Sequence, residues 1–331
     1  MRILVIRLSS LGDIVLTQPV LAELRELFPD AEIRYVCKPR WAELVRLFGV
    51  NAQIVPYQKN LKWHLRMLGQ RWDLVLDLHS KFASWLLRSI VHGRKAVYGK
   101  QRRIRLRIVR GDSSLAADHT VKMYYSALRK LFPDKFPGQN GFRYPRLYIN
   151  GADFPQPNGQ KAATGRQRVG LFLGAAHGTK IYPLDYWREF IRANRLRYDF
   201  FLLGDARDAA LSSGLVREFS EVKDLCGKLE LTALVEFIAD CDAIISGDSG
   251  PMHLAAALGK PQLAIFGGTH PRLGFAPLNP QAKVLCADLD CQPCSLHGLD
   301  KCPRGHFDCM RSIKPEQLSA ALDGMLSGQG R

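Results

Sequence analysis

The chain reads as an α/β protein of two Rossmann-like domains, each a parallel sheet covered by helices on both faces. Three features predict this. Short apolar runs alternate with longer stretches of helical periodicity, the alternation lapses over one polar segment, and it then begins again. At 331 residues and 47% hydrophobic content, the chain is also long enough for about two domains with ample cores.

Ile3 to Ile6 is a continuous apolar run, as a strand buried on both faces requires. Ile14 to Phe28 repeats apolar residues at helical spacing, Ile33 to Val36 predicts a strand, and Trp41 to Phe48 predicts a helix. Leu74 to Leu78 reads as a further buried strand, followed by a helix from Lys81 to Val91. Residues 151–168, GADFPQPNGQKAATGRQR, carry glycine and proline without an apolar period, the composition of an exposed linker. They divide an N-terminal domain, 1–150, from a C-terminal domain, 169–331. In the second domain strands are expected from Val169 to Leu173, Phe200 to Leu203, Ala243 to Ser246 and Gln262 to Phe266. Helices are expected from Leu184 to Arg195, Ala206 to Phe219, Thr232 to Ala239, His253 to Leu258 and Pro315 to Leu326. The repeated pattern predicts two similar halves facing a central cleft.

No run of about 20 apolar residues is present, and the opening MRILVIRLSS has charges within its apolar stretch, unlike a signal peptide. The expected address is the cytosol. A formal charge of +16 and a pI near 9.6 imply an anionic partner: nucleic acid, an anionic membrane face or a phosphorylated substrate.

Chemistry concentrates in three turns. Ser9-Ser10-Leu11-Gly12-Asp13 lies between a strand and a helix, where backbone N–H groups are unpaired. Asp13 can cap that helix, or act as a general base aimed at the substrate, and the two roles are compatible. Gly174-Ala175-Ala176-His177-Gly178-Thr179-Lys180 supplies small residues, a hydroxyl and a cation suited to a diphosphate, without the ending of a Walker loop. Lys180 can equally be an ordinary solvated lysine. The string SGDSGPMHLAAALGKP, residues 246–261, runs from a strand end into an Ala-rich helix. Asp248 and Ser249 either cap that helix or build a phosphate site at its positive end; His253 is either a ligand-facing group or a paired core histidine.

These strings resemble glycosyltransferase family 9, the ADP-heptose:lipopolysaccharide heptosyltransferases of the GT-B fold. The resemblance spans nearly the whole chain and rests on RLSSLGDIVLTQPVLAELRELFPDAEI, VLDLHSKFASWLLR, KIYPLDYW and GDSGPMHLAAALGKPQLAIFGGTHP. It implies inverting transfer of a heptose from ADP-heptose to the inner core of lipopolysaccharide, an anionic glycolipid, by a cytoplasmic enzyme peripherally associated with the inner membrane. Asp13 would be the catalytic base. Thr179 and Lys180 would meet the phosphates, with Asp248, Ser249, Gly250 and His253 completing the donor site. Asp208 would contact the adenosine ribose, with Asp205 as the neighbouring alternative. The N-terminal domain would bind the acceptor. There Ala83 departs from the family, which often carries a basic residue before the serine matched by Ser84; Lys81 can substitute, and His119 matches a histidine common in the family. The scheme requires neither a metal nor a cofactor.

Two stretches stand apart. From Lys81 to Arg110 the chain carries Arg88, Arg94, Lys95, Lys100, Arg102, Arg103, Arg105 and Arg107 without an acidic residue. It reads as a docking surface for an anionic glycolipid or membrane, or as a solvated face. A specific nucleic-acid site is disfavoured because no reader motif is present. Cys291-x2-Cys294, with Cys302, Cys309 and His306, offers four soft ligands for zinc, or else a set of reduced thiols in a redox-labile loop. Other readings of the whole chain are a GT-B nucleotide-sugar epimerase or hydrolase and a basic nucleic-acid-binding protein. A dinucleotide oxidoreductase is weaker, since the first turn lacks Gly-x-Gly-x-x-Gly.

Overall fold

The computed structural model describes residues 1–135, 141–149, 152–153 and 165–327. The chain divides into two compact units, one of residues 1–101 and 118–151, the other of residues 102–117 and 152–331. Most of the expected linker, 151–168, lies outside the described residues.

The first unit carries five parallel strands, β1 (Arg2–Ile6), β2 (Glu32–Cys37), β3 (Gln53–Pro56), β4 (Arg71–Asp77) and β5 (His92–Val97), in the order β3-β2-β1-β4-β5. β1 is central and its Ile3 to Ile6 are fully buried, which is why it reads as an unbroken apolar run. The expected helix from Ile14 to Phe28 is two helices, α1 (Leu11–Val15) and α2 (Gln18–Leu27). Pro19 has no amide to donate back to Val15 and starts α2 instead, while the Thr17 hydroxyl donates to Ile14 O at 2.7 Å. Helices α3 (Ala42–Arg46), α4 (Leu61–Met67), α5 (Phe82–Ile90) and α7 (Thr120–Leu131) complete this unit. Trp63 and Met67 of α4 and Leu87 of α5 pack in one apolar cluster with Leu4, Ile6 and Val75 of the sheet.

In the second unit, six parallel strands follow the order β10-β9-β8-β11-β12-β13. They are β8 (Gln167–Phe172), β9 (Tyr198–Leu203), β10 (Lys223–Asp224), β11 (Ala243–Gly247), β12 (Gln262–Phe266) and β13 (Ala282–Cys286); two short strands, β6 (Tyr148–Ile149) and β7 (Ala152–Asp153), precede them. Helices α8 (Leu184–Asn194), α9 (Ala209–Glu218), α10 (Leu231–Asp240), α11 (Gly250–Ala257), α12 (Asp308–Arg311) and α13 (Pro315–Ser327) belong here, as does α6 (Arg102–Val109). Arg105 of α6 is buried: its Nε donates to Leu273 O at 3.0 Å and its guanidinium lies 4.5 Å from the Phe275 ring centroid. The basic run is therefore not one open face, because Arg105 is interior and the run divides between the two units.

Both sheets reverse strand order beside their first strand, so crevices open at the carboxyl ends of β1 and β4 and of β8 and β11. In β8, a Cβ added at Gly170 would lie 2.8 Å from methyl carbons of both Ile244 and Leu203. Gly170→Ala should overpack this sheet and destabilise the protein by about 1–3 kcal/mol, read as a lower denaturant midpoint with unchanged slope.

Candidate functional site

In the first unit the loop after β1 brings Asp13 to the third position of α1, behind its N-cap Ser10. Ser10 N–H and Oγ–H donate to Asp13 Oδ2 at 3.3 and 2.7 Å, so the capping role is realised. The carboxylate does more than cap. Its Oδ2 pairs with the Arg7 guanidinium, and Tyr124 Oη–H of α7 donates to its Oδ1 at 3.3 Å. Arg7 is itself fixed, with Nε donating to Ser9 O at 2.8 Å and Nη1 to Leu78 O at 2.6 Å. Burial is the largest influence and opposes the Arg7 charge, yet Asp13 together with Tyr124, Tyr98 and Tyr35 outweighs it and holds the guanidinium pKa above its ordinary value. An anchored carboxylate, 28% exposed, thus sits where the two central strands diverge.

From the end of β4 comes a second group. Asp77, fully buried, accepts the amides of His79 and Ser80 at 3.0 and 2.7 Å and lies 3.5 Å from Arg88 Nη1. His79 is buried, and burial, with the nearby Arg7 and Lys81 cations, pushes its pKa down to about 3. Its imidazole is uncharged at neutral pH. Lys81 caps α5, and the buried Ser84 hydroxyl accepts Lys81 N–H at 3.0 Å and donates to Lys81 O at 2.9 Å. His119 caps α7, its Nδ1 accepting Val121 N–H at 3.1 Å. Both Ser84 and His119 therefore serve helix starts. Arg7, Asp77, His79 and Tyr124 escaped sequence reasoning; for Arg7 the available signal was a charge at the end of a buried strand.

The second unit places its groups equivalently. After β8, a short turn, Gly178–Lys180, buries Thr179, whose Oγ1 accepts Leu299 N–H at 2.8 Å. Lys180 Nζ lies 2.8 Å from Asp248 Oδ2, just beyond β11, and Thr269 Oγ1–H donates to the same oxygen at 2.7 Å. Thr269 was not anticipated. A Cβ on Gly247 would stand 2.6 Å from Lys180 O, and one on Gly268 2.6 Å from Thr179 Oγ1, so these turns approach closely only as glycine. Ser249 caps α11, Gly250 opens it, and the Ser249 Oγ is buried without a hydrogen-bond partner among the described residues. His253 lies buried on the same helix. Asp208 accepts Asp205 N–H at 3.0 Å and packs against the backbone of Gly174 and Gly204, and burial raises its pKa. Asp205 instead pairs with Arg207, whose hydrogen bonding lowers the Asp205 pKa.

The cysteines are free thiols; burial, reinforced by the neighbouring Cys294, Cys302 and Cys291 sulfurs, pushes Cys309 up to about 12. His79 makes stability depend on pH. Its folded pKa lies below the unfolded value near 6.5, so the unfolded chain binds the extra proton and stability falls as pH drops from about 6.5 towards 3. Denaturant midpoints at pH 7 and pH 5 should differ less in His79→Gln than in the parent.

The sequence model described as glycosyltransferase family 9 (heptosyltransferase) matches residues 61–300. The chain is similar to lipooligosaccharide heptosyltransferase 2 of Campylobacter jejuni subsp. jejuni, 26% identical with 96% of this chain and 95% of the relative covered. It is equally similar, at 26% identity, to lipopolysaccharide heptosyltransferase 1 of Pseudomonas aeruginosa, with 98% of each chain covered. The solved structure of E. coli ADP-heptose lps heptosyltransferase II superposes with a TM-score of 0.75 at 22% identity over 100% of both chains. Two doubly wound parallel sheets, this superposition and a family match covering most of the sequence lead to one conclusion: the chain is a GT-B glycosyltransferase belonging to family 9.

Proposed function

We propose that this glycosyltransferase moves a heptose from ADP-heptose to the inner core of lipopolysaccharide, with inversion at the anomeric carbon. The observation that carries the chemistry is the Asp13 carboxylate, oriented by Arg7, Tyr124 and Ser10. The names of the relatives support the donor and acceptor class. Asp13 takes the proton of the acceptor hydroxyl as its oxygen bonds to the anomeric carbon; the bond to ADP breaks on the opposite side. Charge gathering on the departing phosphate is met by Lys180 and by the Ser249 hydroxyl and amides at the start of α11. Asp248, itself bonded by Thr269, holds Lys180, and Thr179 fixes its turn. His253 meets the donor sugar and Asp208 the adenosine ribose. Lys81 meets the acceptor, while Ser84 and His119 fix the helices beside it.

Asp13→Ala should retain ADP binding by calorimetry yet lose transfer by about 10²–10⁴-fold. Full turnover in that variant removes Asp13 from the mechanism. Lys180→Ala should weaken ADP binding, and a preference for UDP would redirect the donor assignment. Product analysis decides between transfer and the epimerase or hydrolase readings.

The enzyme works, in this reading, on the inner face of the cytoplasmic membrane. Among the described residues no helix is long and apolar enough to cross a bilayer. Helices α4 and α5 nevertheless expose an apolar stripe: Leu61 (74% exposed), Leu65 and Leu68 on one, and Phe82 (76%) stacked on Trp85 on the other. Lys59, Lys62, Arg66, Lys81 and Arg88 accompany them, and residues 58–70 and 81–95 contain no acid. An anionic bilayer matches both the charge and the apolar tips. Sedimentation with phosphatidylglycerol vesicles, but not phosphatidylcholine vesicles, should carry the protein down, and Leu65→Glu with Trp85→Glu should release it. Indifference of the parent to vesicle charge defeats this reading.

A further inference from the structure

Residues 287–307, between β13 and α12, contain neither helix nor strand. Ordered loops of that length are uncommon without something to hold them. Apolar burial holds only its two ends, where Leu289 and Phe307 pack against the core cluster. Between them the large aliphatic residues are Leu296 and Leu299, and Leu299 is 36% exposed.

One end of the loop is firmly tied. The buried Gln292 amide nitrogen lies 3.1, 2.6 and 3.0 Å from the carbonyl oxygens of Phe266, Gly267 and Thr269, and Cys294 N–H donates to Gly268 O at 3.1 Å. These bonds seat the Cys291-Gln292-Pro293-Cys294 knuckle on the end of β12. Further along, Leu299 exchanges backbone bonds with the Thr179 turn, its O accepting Thr179 N–H at 2.9 Å. Cys302 and His306 follow, and Cys309 lies on α12. Cys291, Cys294, Cys302, His306 and Cys309 all line one cavity of about 260 Å³. His306 Nδ1 lies 3.0 Å from Asp308 N and 3.2 Å from Asp308 Oδ2, and its Nε2 lies 3.9 Å from Cys291 Sγ.

We propose that Cys291, Cys294, Cys302 and Cys309 bind one soft divalent cation, zinc or ferrous iron, in tetrahedral thiolate coordination. The ion staples the 287–307 loop to β12 and α12, and so supports the turn that carries Thr179 and Lys180. Four sulfur ligands around one small cavity suit a soft cation that prefers tetrahedral geometry. In the conformation described, no group of three or more such side chains is yet arranged to hold an ion among the described residues. Coordination therefore includes rotation of the thiols into the shared cavity, with release of one proton from each as it becomes a thiolate. His306 is then a supporting partner, its Nε2 facing the Cys291 sulfur rather than the ion.

The test uses the full chain, purified without chelator under anaerobic conditions. Elemental analysis should find about one equivalent of zinc or iron per chain. After its removal, cobalt(II) titration should produce a thiolate-to-cobalt charge-transfer band and the intense visible bands of a tetrahedral site. Cys302→Ser and Cys309→Ser should lose that signature, whereas Cys241→Ser, at a buried thiol that does not line the cavity, should keep it. Chelation should also open 287–307 to limited proteolysis. A parent chain that retains no metal and shows no tetrahedral cobalt spectrum overturns the proposal, as does a disulfide joining any two of the four cysteines in the anaerobic protein. Because the cobalt titration is performed on the parent sequence, failure of a cysteine variant to fold does not obscure the result.

Discussion

A parallel sheet buried on both faces can reverse its strand order only by sending successive crossovers in opposite directions from one central strand. That constraint organises each unit. Where β1 diverges from β4, and β8 from β11, the loops part and leave backbone N–H groups and side chains without sheet partners. Asp13 and His79 come from the first pair of strand ends, Lys180 and Asp248 from the second. Hydrophobic burial builds the sheets, and the topology of that burial determines where polar chemistry can stand.

Within each crevice the polar groups are interlocked. Arg7 joins Asp13 to the carbonyls of Ser9 and Leu78, so one guanidinium ties the end of β1 to the end of β4. Removing either partner would leave the other as a partly buried, uncompensated charge. Asp248 plays the corresponding part in the second unit, gathering Lys180 and Thr269 onto one oxygen. Such pairs hold rotamers in place before substrate arrives, the preorganisation that electrostatic catalysis depends on. The glycines are part of the same device. At Gly247 and Gly268 the space a methyl group would occupy is taken by Lys180 and Thr179.

The loop after β13 shows a different solution to the same problem of order. Only its ends, Leu289 and Phe307, reach the apolar core, and between them it is held by polar ties: a buried glutamine amide and the bonds between Leu299 and Thr179, beside a cavity lined by sulfur. Its connection to the Thr179 turn makes the order of the loop and the order of that turn a single matter. The leucines and aromatic rings of α4 and α5 pose the converse case, apolar surface beside cations that the described residues leave exposed.

Legibility followed burial. Central strands β1, β4, β8, β11 and β12 each contain a buried, mostly apolar run, Ile3–Ile6, Leu74–Leu76, Val169–Phe172, Ala243–Ile245 and Leu263–Phe266, because both faces are covered there, and these runs are visible in the sequence. The edge strands β3 and β5 are partly exposed, and HGRKAV carries no apolar alternation, so they are not visible there. The segment containing α6 is contiguous with the first half in sequence yet packs with the second unit through Arg105 and Leu273, a long-range contact that no local period encodes. The same division holds in the site. Asp13, Lys180 and Asp248 stand in turns between a strand and a helix, which marks them as candidates; the resemblance supplies their expected roles and adds Asp208. That Asp13 is gripped by Arg7 and Tyr124, and that Lys180 and Thr269 share Asp248, depends on side chains brought together from distant strands and helices. Local sequence determines which segments are strands and turns, because backbone geometry and burial act within a few residues. Tertiary structure alone decides which charges meet, because an ion pair needs proximity in space, and proximity comes from the packing of the whole unit.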